Sequence, residues 1–543
     1  MNNLENKKTG AHYTPDDLSF YLAKELREAW KKNSQLEHDN LRILDPSCGN
    51  GNLLLAIQNV FKDLKYKAIG IDINQNAIKE AQKKLNNSFE LINADYLKGF
   101  ESLDGREDLI IANPPYVRTS VLGADYSQQL SKKFNLSGKL DMYQVFFKAM
   151  TRSLREGGIL CAITSNKYLT NKTGKDIRNF LTKNFEIIKI IDLGDTRPFS
   201  AAVLPAIFIG KKKKGVINKN IPFVKTYETQ EEVTETRNVD KLSRLLNQKN
   251  GVYKFKNMNF KVTRGSLDTT SNSSDPWNMA TIEEKKWANK LEKNAAMKFS
   301  DVFDVRVGIK TTADKVFIKD NWESLDDNLK PERKVLHKLI SAKKLDKWSP
   351  NPHKLNEILY THTMELGKRV PINLNNFPHA KNYLLSHKEE LSSRRYVAKA
   401  NRNWFEIWVP QCPDKLLDYK VVFPDISEKA KFAYDDNGFF VDGNCYWLTT
   451  KDNVDNDYLL LATGVANSCV MEKYYDIKFQ NVLYNGRKRY LTQYVKNYLL
   501  PDINNDHSKN VIKLVKELIR SSKDIRELEE KVDEEVKRAF NIV

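Results

Sequence analysis

Between residues 41 and 209 short apolar runs of strand length alternate with segments whose apolar side chains recur every three or four positions. Residues 41–45, 68–72, 89–95, 109–112, 159–164, 186–193 and 204–209 read as strands, most of them apolar on both faces, as buried parallel strands are. Helical spacing occupies residues 18–30, 53–61, 77–85, 141–154 and 174–181. Asp16 and Asp17 open the first helix, and Gly157-Gly158 is expected to cap the fourth. The run Leu109-Ile-Ile-Ala112 meets Asn113-Pro114-Pro115-Tyr116, and the imides cannot continue a ladder, so the strand stops there. This rhythm predicts an α/β domain, a doubly wound, mostly parallel seven-stranded sheet with an antiparallel last strand. Residues 118–139 are polar and expected to form an exposed loop.

After Lys211-Lys-Lys-Lys214 the alternation fades. The polar stretch from Gly265 to Pro276 places a linker at 251–276, between a domain over 1–250 and an α+β domain over 277–543. The latter ends in an amphipathic helical segment at 508–543, read as a packed hairpin. A length of 543 residues suits two or three domains, and 41% hydrophobic with 29% charged residues is ordinary for a soluble protein. A net charge of +18 and a pI near 9.3 suggest a polyanionic partner. No run approaches a membrane span, the first residues lack a signal peptide's apolar region, and the cysteines form no CxxC pair. Neither a structural zinc nor a disulfide framework is expected, and a reducing cytoplasm fits.

The candidate chemistry gathers at strand ends. Asp45 is followed by Pro46, Ser47, Cys48 and a Gly49-x-Gly51 turn that opens a helix, where backbone can approach a ligand closely. The turn lacks the third glycine of a dinucleotide fingerprint. Asp72 ends the second strand, where an acid can bind both ribose hydroxyls of a nucleoside. Asp95, beside Tyr96, ends the third, where an acid can accept from an adenine amino group. Asn113 offers a side-chain carbonyl and Pro114 a fixed backbone carbonyl; together they can accept both hydrogens of an exocyclic amine. Tyr116 supplies a face for a flat ring.

These residues resemble the γ-type N6-adenine DNA methyltransferases of restriction-modification or orphan modification systems. The motifs run in that family's order: Tyr13-Thr14-Pro15, then Asp45 to Gly51, Asp72, Asp95 with Tyr96, and Asn113 to Tyr116. They continue through Asp141-Met-Tyr143 and Gly157-Gly158 to Phe199, ahead of Leu204-Pro-Ala-Ile-Phe-Ile209. The resemblance implies S-adenosyl-L-methionine as cofactor, held by Tyr13, Thr14, Pro15, Asp45, Pro46, Ser47, Cys48, Gly49, Gly51, Asp72, Ile73, Asp95, Tyr96 and Asn113. It implies catalysis by Asn113, Pro114, Pro115 and Tyr116, direct displacement without a covalent enzyme intermediate, and a flipped-out adenine between Tyr116 and Phe199. The second half resembles the family's target-recognition region, although Thr312 and Val316 replace its usual Gly and Ala. Lys310, Thr311, Thr312, Arg394, Arg395, Arg402, Arg487, Lys488 and Arg489 are its candidate contacts to double-stranded DNA. No metal, no nuclease of its own, and a monomer are expected, with a separately encoded restriction endonuclease as functional counterpart.

Three other readings stay open. Asn-Pro-Pro-Tyr also occurs in enzymes acting on release-factor glutamines or on RNA; N4-cytosine methylation uses the same amine chemistry; and a catalytically silent specificity subunit would keep the fold. The extensive basic, aromatic-rich second half and the intact tetrapeptide favour adenine in DNA.

Overall fold

A computed structural model describes residues 13–33, 40–86, 88–117, 121, 123–136, 141–199, 203–216, 218–233, 238–267, 269, 276–479, 483, 487–521 and 525–542. The chain divides into two compact units, Met1–Lys285 with Leu483–Gly486, and Lys286–Val482 with Arg487–Val543.

The first unit is built on one sheet. Strands β1 (Leu41–Asp45), β2 (Tyr66–Asp72), β3 (Phe89–Asn93), β4 (Glu107–Ala112), β5 (Leu154–Ser165), β6 (Phe185–Asp192) and β7 (Pro205–Lys212) lie in the order β3-β2-β1-β4-β5-β7-β6. The first five pair in parallel, and β7 runs antiparallel between β5 and β6. This is the doubly wound sheet that the sequence pattern predicts. It does not end there: β8 (Ile221–Glu228), β9 (Asn238–Val239), β10 (Gly251–Phe255) and β11 (Met258–Leu267) extend it beyond β6 to eleven strands. Residues 251–267, expected within a linker, are therefore two paired strands of the sheet.

The period of two along each strand sends neighbours to opposite faces. Ile43 and Leu109 join one core with Leu22, Leu26, Leu54 and Ile57 from helices α1 (Asp16–Asn33) and α2 (Asn52–Val60). Helix α3 (Gln75–Lys84) adds Ile78 there. Leu44 and Ile110 join the other core, whose helical cover includes α6 (Met142–Ser153) and α7 (Lys175–Asn184). Leu109 and Ile110 are both fully buried, each contributing about 1.5–3 kcal/mol, so β4 is clamped from both sides.

Local expectations differ at two further places. Gly157-Gly158 does not cap α6, whose C-cap is Leu154. The strand starts there and the glycines sit inside β5, beside a register shift between Glu107 and Leu109. A Cβ on Gly158 would stand 2.8 Å from the Asp108 carbonyl oxygen, so the pair permits close strand approach. The expected loop at 118–139 lies partly outside the described residues, and residues 124–133 of it are a helix, α5 (Ala124–Lys133), anchored by buried Leu130.

In the second unit an antiparallel sheet orders Phe303–Val307, Cys445–Thr450, Lys420–Pro424 and Ala433–Asp435. A second sheet contains Leu336–Ile340 and Asn356–Leu359. The C-terminal segment is two helices, Asp506–Arg520 and Arg526–Ala539, packed through Val511, Val515, Val532 and Val536. Among the described residues no helix is long and apolar enough to cross a membrane.

Candidate active site

Of the residues singled out in the first 116 positions, all but Asp95 and Tyr96 gather at the carboxyl ends of β1, β2 and β4. Asp45 closes β1 with a fully buried carboxylate. Its Oδ1 accepts from the Ser47 amide at 3.1 Å, while Oδ2 takes no hydrogen bond among the described residues. Burial pushes this carboxyl well above the usual range. Pro46, Ser47 and Cys48 form the turn into α2, and the Cys48 amide donates to the Ile71 carbonyl at 2.9 Å, tying the turn to β2. Burial also pushes the Cys48 thiol up, consistent with a turn residue rather than a nucleophile.

Asp72 locks that turn from the second strand. Its Oδ2 accepts from the Gly49 amide and its Oδ1 from the Asn74 amide, each at 2.8 Å. Burial raises its pKa, against these two donors. Ile73 follows with 72% of its surface exposed, an apolar side chain held in solvent beside an acid. Gly49 has φ +51°, and a Cβ there would stand 2.8 Å from the Tyr13 ring. The bare backbone is thus what lets Tyr13 lie over the turn. Partial burial, then Glu80 and Asp72, push the Tyr13 phenol up.

Thr14 joins the elements. The Asn113 amide donates from Nδ2 to Thr14 Oγ1 at 3.0 Å, and Asn52 Nδ2 donates to the Thr14 carbonyl at 2.9 Å. The Pro15 carbonyl accepts from Ser19 within α1 at 2.8 Å. One residue of the N-terminal element therefore touches both the Gly49 loop's helix and the end of β4. The last β4 register partner is Ala112, against Ala162 of β5, so the ladder ends where the prolines begin. Pro114 is buried; Asn113, Pro115 and Tyr116 are half-buried. Tyr116 and Phe199 meet with centroids 5.6 Å apart at 48°. A flat ring enters between them only after they part.

Asp95 and Tyr96 are split by the fold. Asp95 caps the one-turn helix α4 (Tyr96–Gly99), Oδ1 accepting from the Leu97 amide at 3.0 Å. Its Oδ2 accepts from the Tyr126 hydroxyl of α5 at 2.7 Å. Tyr96, expected to flank a ligand ring, is a core residue instead. It is 4% exposed, packs on Phe100 and Phe146, and bonds Ser153 at 2.9 Å.

A polar network missed from sequence stands at the ends of β5, β6 and β8. Asp192 is buried, its pKa raised by burial. Tyr227 donates to its Oδ2 at 2.6 Å, and Asn166 Nδ2 donates to its Oδ1 at 3.1 Å. The Asn166 amide donates to the Leu204 carbonyl at 2.8 Å, so this residue holds both ends of the segment that carries Phe199. Asp192 shares the strand-end signature of the other acids; Tyr227 was hidden because β8 lies beyond the expected sheet. Tyr227→Phe removes a donor from a buried carboxylate, and should lower stability by about 1–3 kcal/mol in urea unfolding.

The second unit sorts the nine candidate contacts. Thr311 is 1% exposed and engages Asp314 and the Ala313 amide. Arg394 is buried, donating to the carbonyls of Leu391 (2.9 Å), Thr311 (2.9 Å) and Trp404 (2.5 Å), and burial lowers its pKa to about 10. Lys488 is buried against Glu472 and Asp476. These three are not available to phosphate: their polar groups are already spent inside the fold. Arg394→Gln should accordingly lower the unfolding midpoint, by at least about 2–3 kcal/mol in stability, as carbonyls lose their donor. Lys310, Thr312, Arg395, Arg487 and Arg489 are exposed and Arg402 half-buried. Arg489 is held by Asp425 and Arg487 approaches Glu428.

The Eco57I restriction-modification methylase family matches residues 17–199, and the TaqI-like C-terminal specificity domain matches residues 367–501. The chain is 46% identical over 554 residues to the type II methyltransferase M.BanIII of Aneurinibacillus aneurinilyticus, covering 97% of this chain and 95% of the relative. It is 25% identical to the type II methyltransferase M.BstVI of Geobacillus stearothermophilus, over 86% of this chain and 85% of the other. In fold it is similar to the type IIL restriction-modification enzyme MmeI, solved in complex with DNA, at TM-score 0.66 and 14% identity over 100% of this chain and 78% of that one. With a tetrapeptide set at the end of a doubly wound sheet and near full-length similarity to M.BanIII, the chain belongs to the type II restriction-modification methyltransferases.

Proposed function

We propose that this chain is a site-specific DNA methyltransferase that transfers a methyl group from S-adenosylmethionine to N6 of an adenine swung out of a DNA duplex. One observation carries the reading. The Asn113 amide is oriented by Thr14 at the end of β4, immediately before the rigid Pro114 carbonyl. An adenine amino group is a poor nucleophile because its lone pair is delocalised into the ring. Accepting both N–H groups on the Asn113 side chain and the Pro114 carbonyl localises that pair and stabilises the positive charge as it develops.

The residues fit the cofactor. Asp72 keeps carboxylate lone pairs beyond those facing Gly49 and Asn74, and these would take ribose hydroxyls. Exposed Ile73 would cover a purine face, Asp95 would accept from its amino group, and buried Asp45 Oδ2 has a vacant acceptor position beside the Gly49 turn. When bound, S-adenosylmethionine supplies an electrophilic methyl on a sulfonium. No enzyme nucleophile is needed. A base within a duplex is out of reach of the Asn113 end of β4 and must be flipped. Tyr116 and Phe199, once parted, would hold its two faces, each stack worth about 1–3 kcal/mol. The net charge of +18 and the solved DNA complex of the structural relative support duplex DNA as substrate.

Single-molecule, modification-aware sequencing of plasmid DNA from cells expressing the chain, beside an Asn113→Ala control, tests this. N6-methyladenine at one short motif, absent from the control, is the expected result. Unmodified DNA, or methyl groups on cytosine N4, would overturn the assignment.

A further inference from the structure

Within the second unit, one stretch of surface pairs an exposed aromatic side chain with cations that lack acidic partners. Tyr396 lies on the short helix Arg395–Lys399 and keeps 65% of its surface in solvent. Its ring packs on Trp408, centroids 5.6 Å apart at 35°, so its position is fixed from below while its other face stays open. The Arg402 guanidinium covers Trp408 at 5.1 Å and donates to the Trp408 carbonyl at 2.8 Å. Lys310 enters from a distant segment of the chain through an isolated bridge: its amide and carbonyl exchange hydrogen bonds with Val409 at 3.0 and 2.9 Å, next to Trp408. Arg395 precedes Tyr396, and Lys399 lies three residues after it, on the same face of the helix. Lys310, Arg395 and Lys399 are all exposed, and unlike Arg489, which Asp425 holds, none has an acidic partner among the described residues.

A single exposed ring is ordinary on a protein surface, but this one is held in place by Trp408 and stands among cations without acidic partners. Core packing does not account for it, since only one face is covered. The charge selects a polyanion, and the rigid flat ring selects one whose charged groups are separated by apolar sugars it can lie against. We infer that the Tyr396–Trp408 stack, with Lys310, Arg395 and Lys399, is a duplex-DNA docking surface of the second unit, in which Tyr396 makes the apolar contact and the three cations hold phosphates. This rests on the DNA reading above and adds Tyr396, Lys399 and Trp408 to the residues that carry it.

Fluorescence anisotropy with the full-length chain and a fluorescein-labelled duplex carrying the methylated motif, or a random-sequence duplex if none is found, provides the test. Tyr396→Ala should weaken binding about 5- to 100-fold, from the apolar surface the ring buries against deoxyribose, while Tyr396→Trp restores it. Lys399→Gln and Arg395→Gln should each reduce the slope of log Kd against log salt by about one. Leu366→Ala removes an apolar side chain of the same unit that is 103% exposed and should change nothing. Wild-type Kd in Tyr396→Ala, or equal losses in Tyr396→Ala and Leu366→Ala, would overturn the assignment. Because binding is read directly, failure of the wild type to methylate its bound duplex would instead strike the activity proposed above and leave the docking surface standing.

Discussion

Asn113→Ala is expected to lower kcat about 10²- to 10³-fold while leaving the affinity for S-adenosylmethionine within a few-fold of wild type. The size follows from deleting one preorganised polar group at the reacting centre. The split follows from where the residue stands. Asn113 is at the end of β4 with its amide nitrogen given to Thr14, whereas the carboxylates that fit the cofactor, Asp45 and Asp72, close β1 and β2. Alanine keeps β4 intact, because the strand is fixed by Leu109, Ile110 and Ile111, all fully buried. Single-turnover kinetics with radiolabelled cofactor on duplex DNA, together with equilibrium cofactor binding, measures both quantities. A variant that lost binding and rate in equal measure would place Asn113 in ground-state recognition and remove it from the chemical step.

Asp72→Ala should show the opposite split, a loss of about 10- to 150-fold in cofactor affinity. A hydrogen bond to a charged group is worth about 1.5–3 kcal/mol, and Asp72 does two jobs. Its carboxylate fits the ribose hydroxyls, and it also takes the Gly49 and Asn74 amides, holding the turn under Tyr13. Asp72→Asn separates the two, because the amide oxygen can still accept one of those backbone groups. Isothermal titration with the cofactor should rank wild type first, Asp72→Asn next and Asp72→Ala last. Equal affinities in all three would remove Asp72 from the binding site.

The active end of the first unit was legible because it is written in local signals. A buried strand that meets two prolines must stop, and an acid that closes an apolar run stands at a strand tip; the structure places Asn113, Asp45 and Asp72 accordingly, while β3 stops at Asn93 and Asp95 caps the short helix beyond it. What was not legible depends on neighbours distant in sequence. Nothing local to Tyr96 says that Phe100, Phe146 and Ser153 enclose it. Arg394 reads as a surface cation, yet three carbonyls draw its guanidinium inside, an exception to the usual exposure of arginine. Residues 251–267 read as a linker because their polar end masks two strands, which only the edge offered by β8 makes useful. Tyr227, and with it the anchoring of the Phe199 segment, was lost for the same reason.

The two hydrogen bonds on Thr14 have a thermodynamic corollary. Its hydroxyl answers to the end of β4 and its carbonyl to the helix that follows the Gly49 turn. Whatever fixes Thr14 from one side prepares the other, so in the proposed reaction cofactor and target base are not independent ligands. Linkage makes the effect reciprocal: the factor by which bound cofactor tightens the hold on the extruded adenine equals the factor by which the adenine tightens the hold on cofactor. A threonine outside the sheet then carries the coupling between the two ligands, and Thr14→Val would weaken that coupling while leaving each site in place.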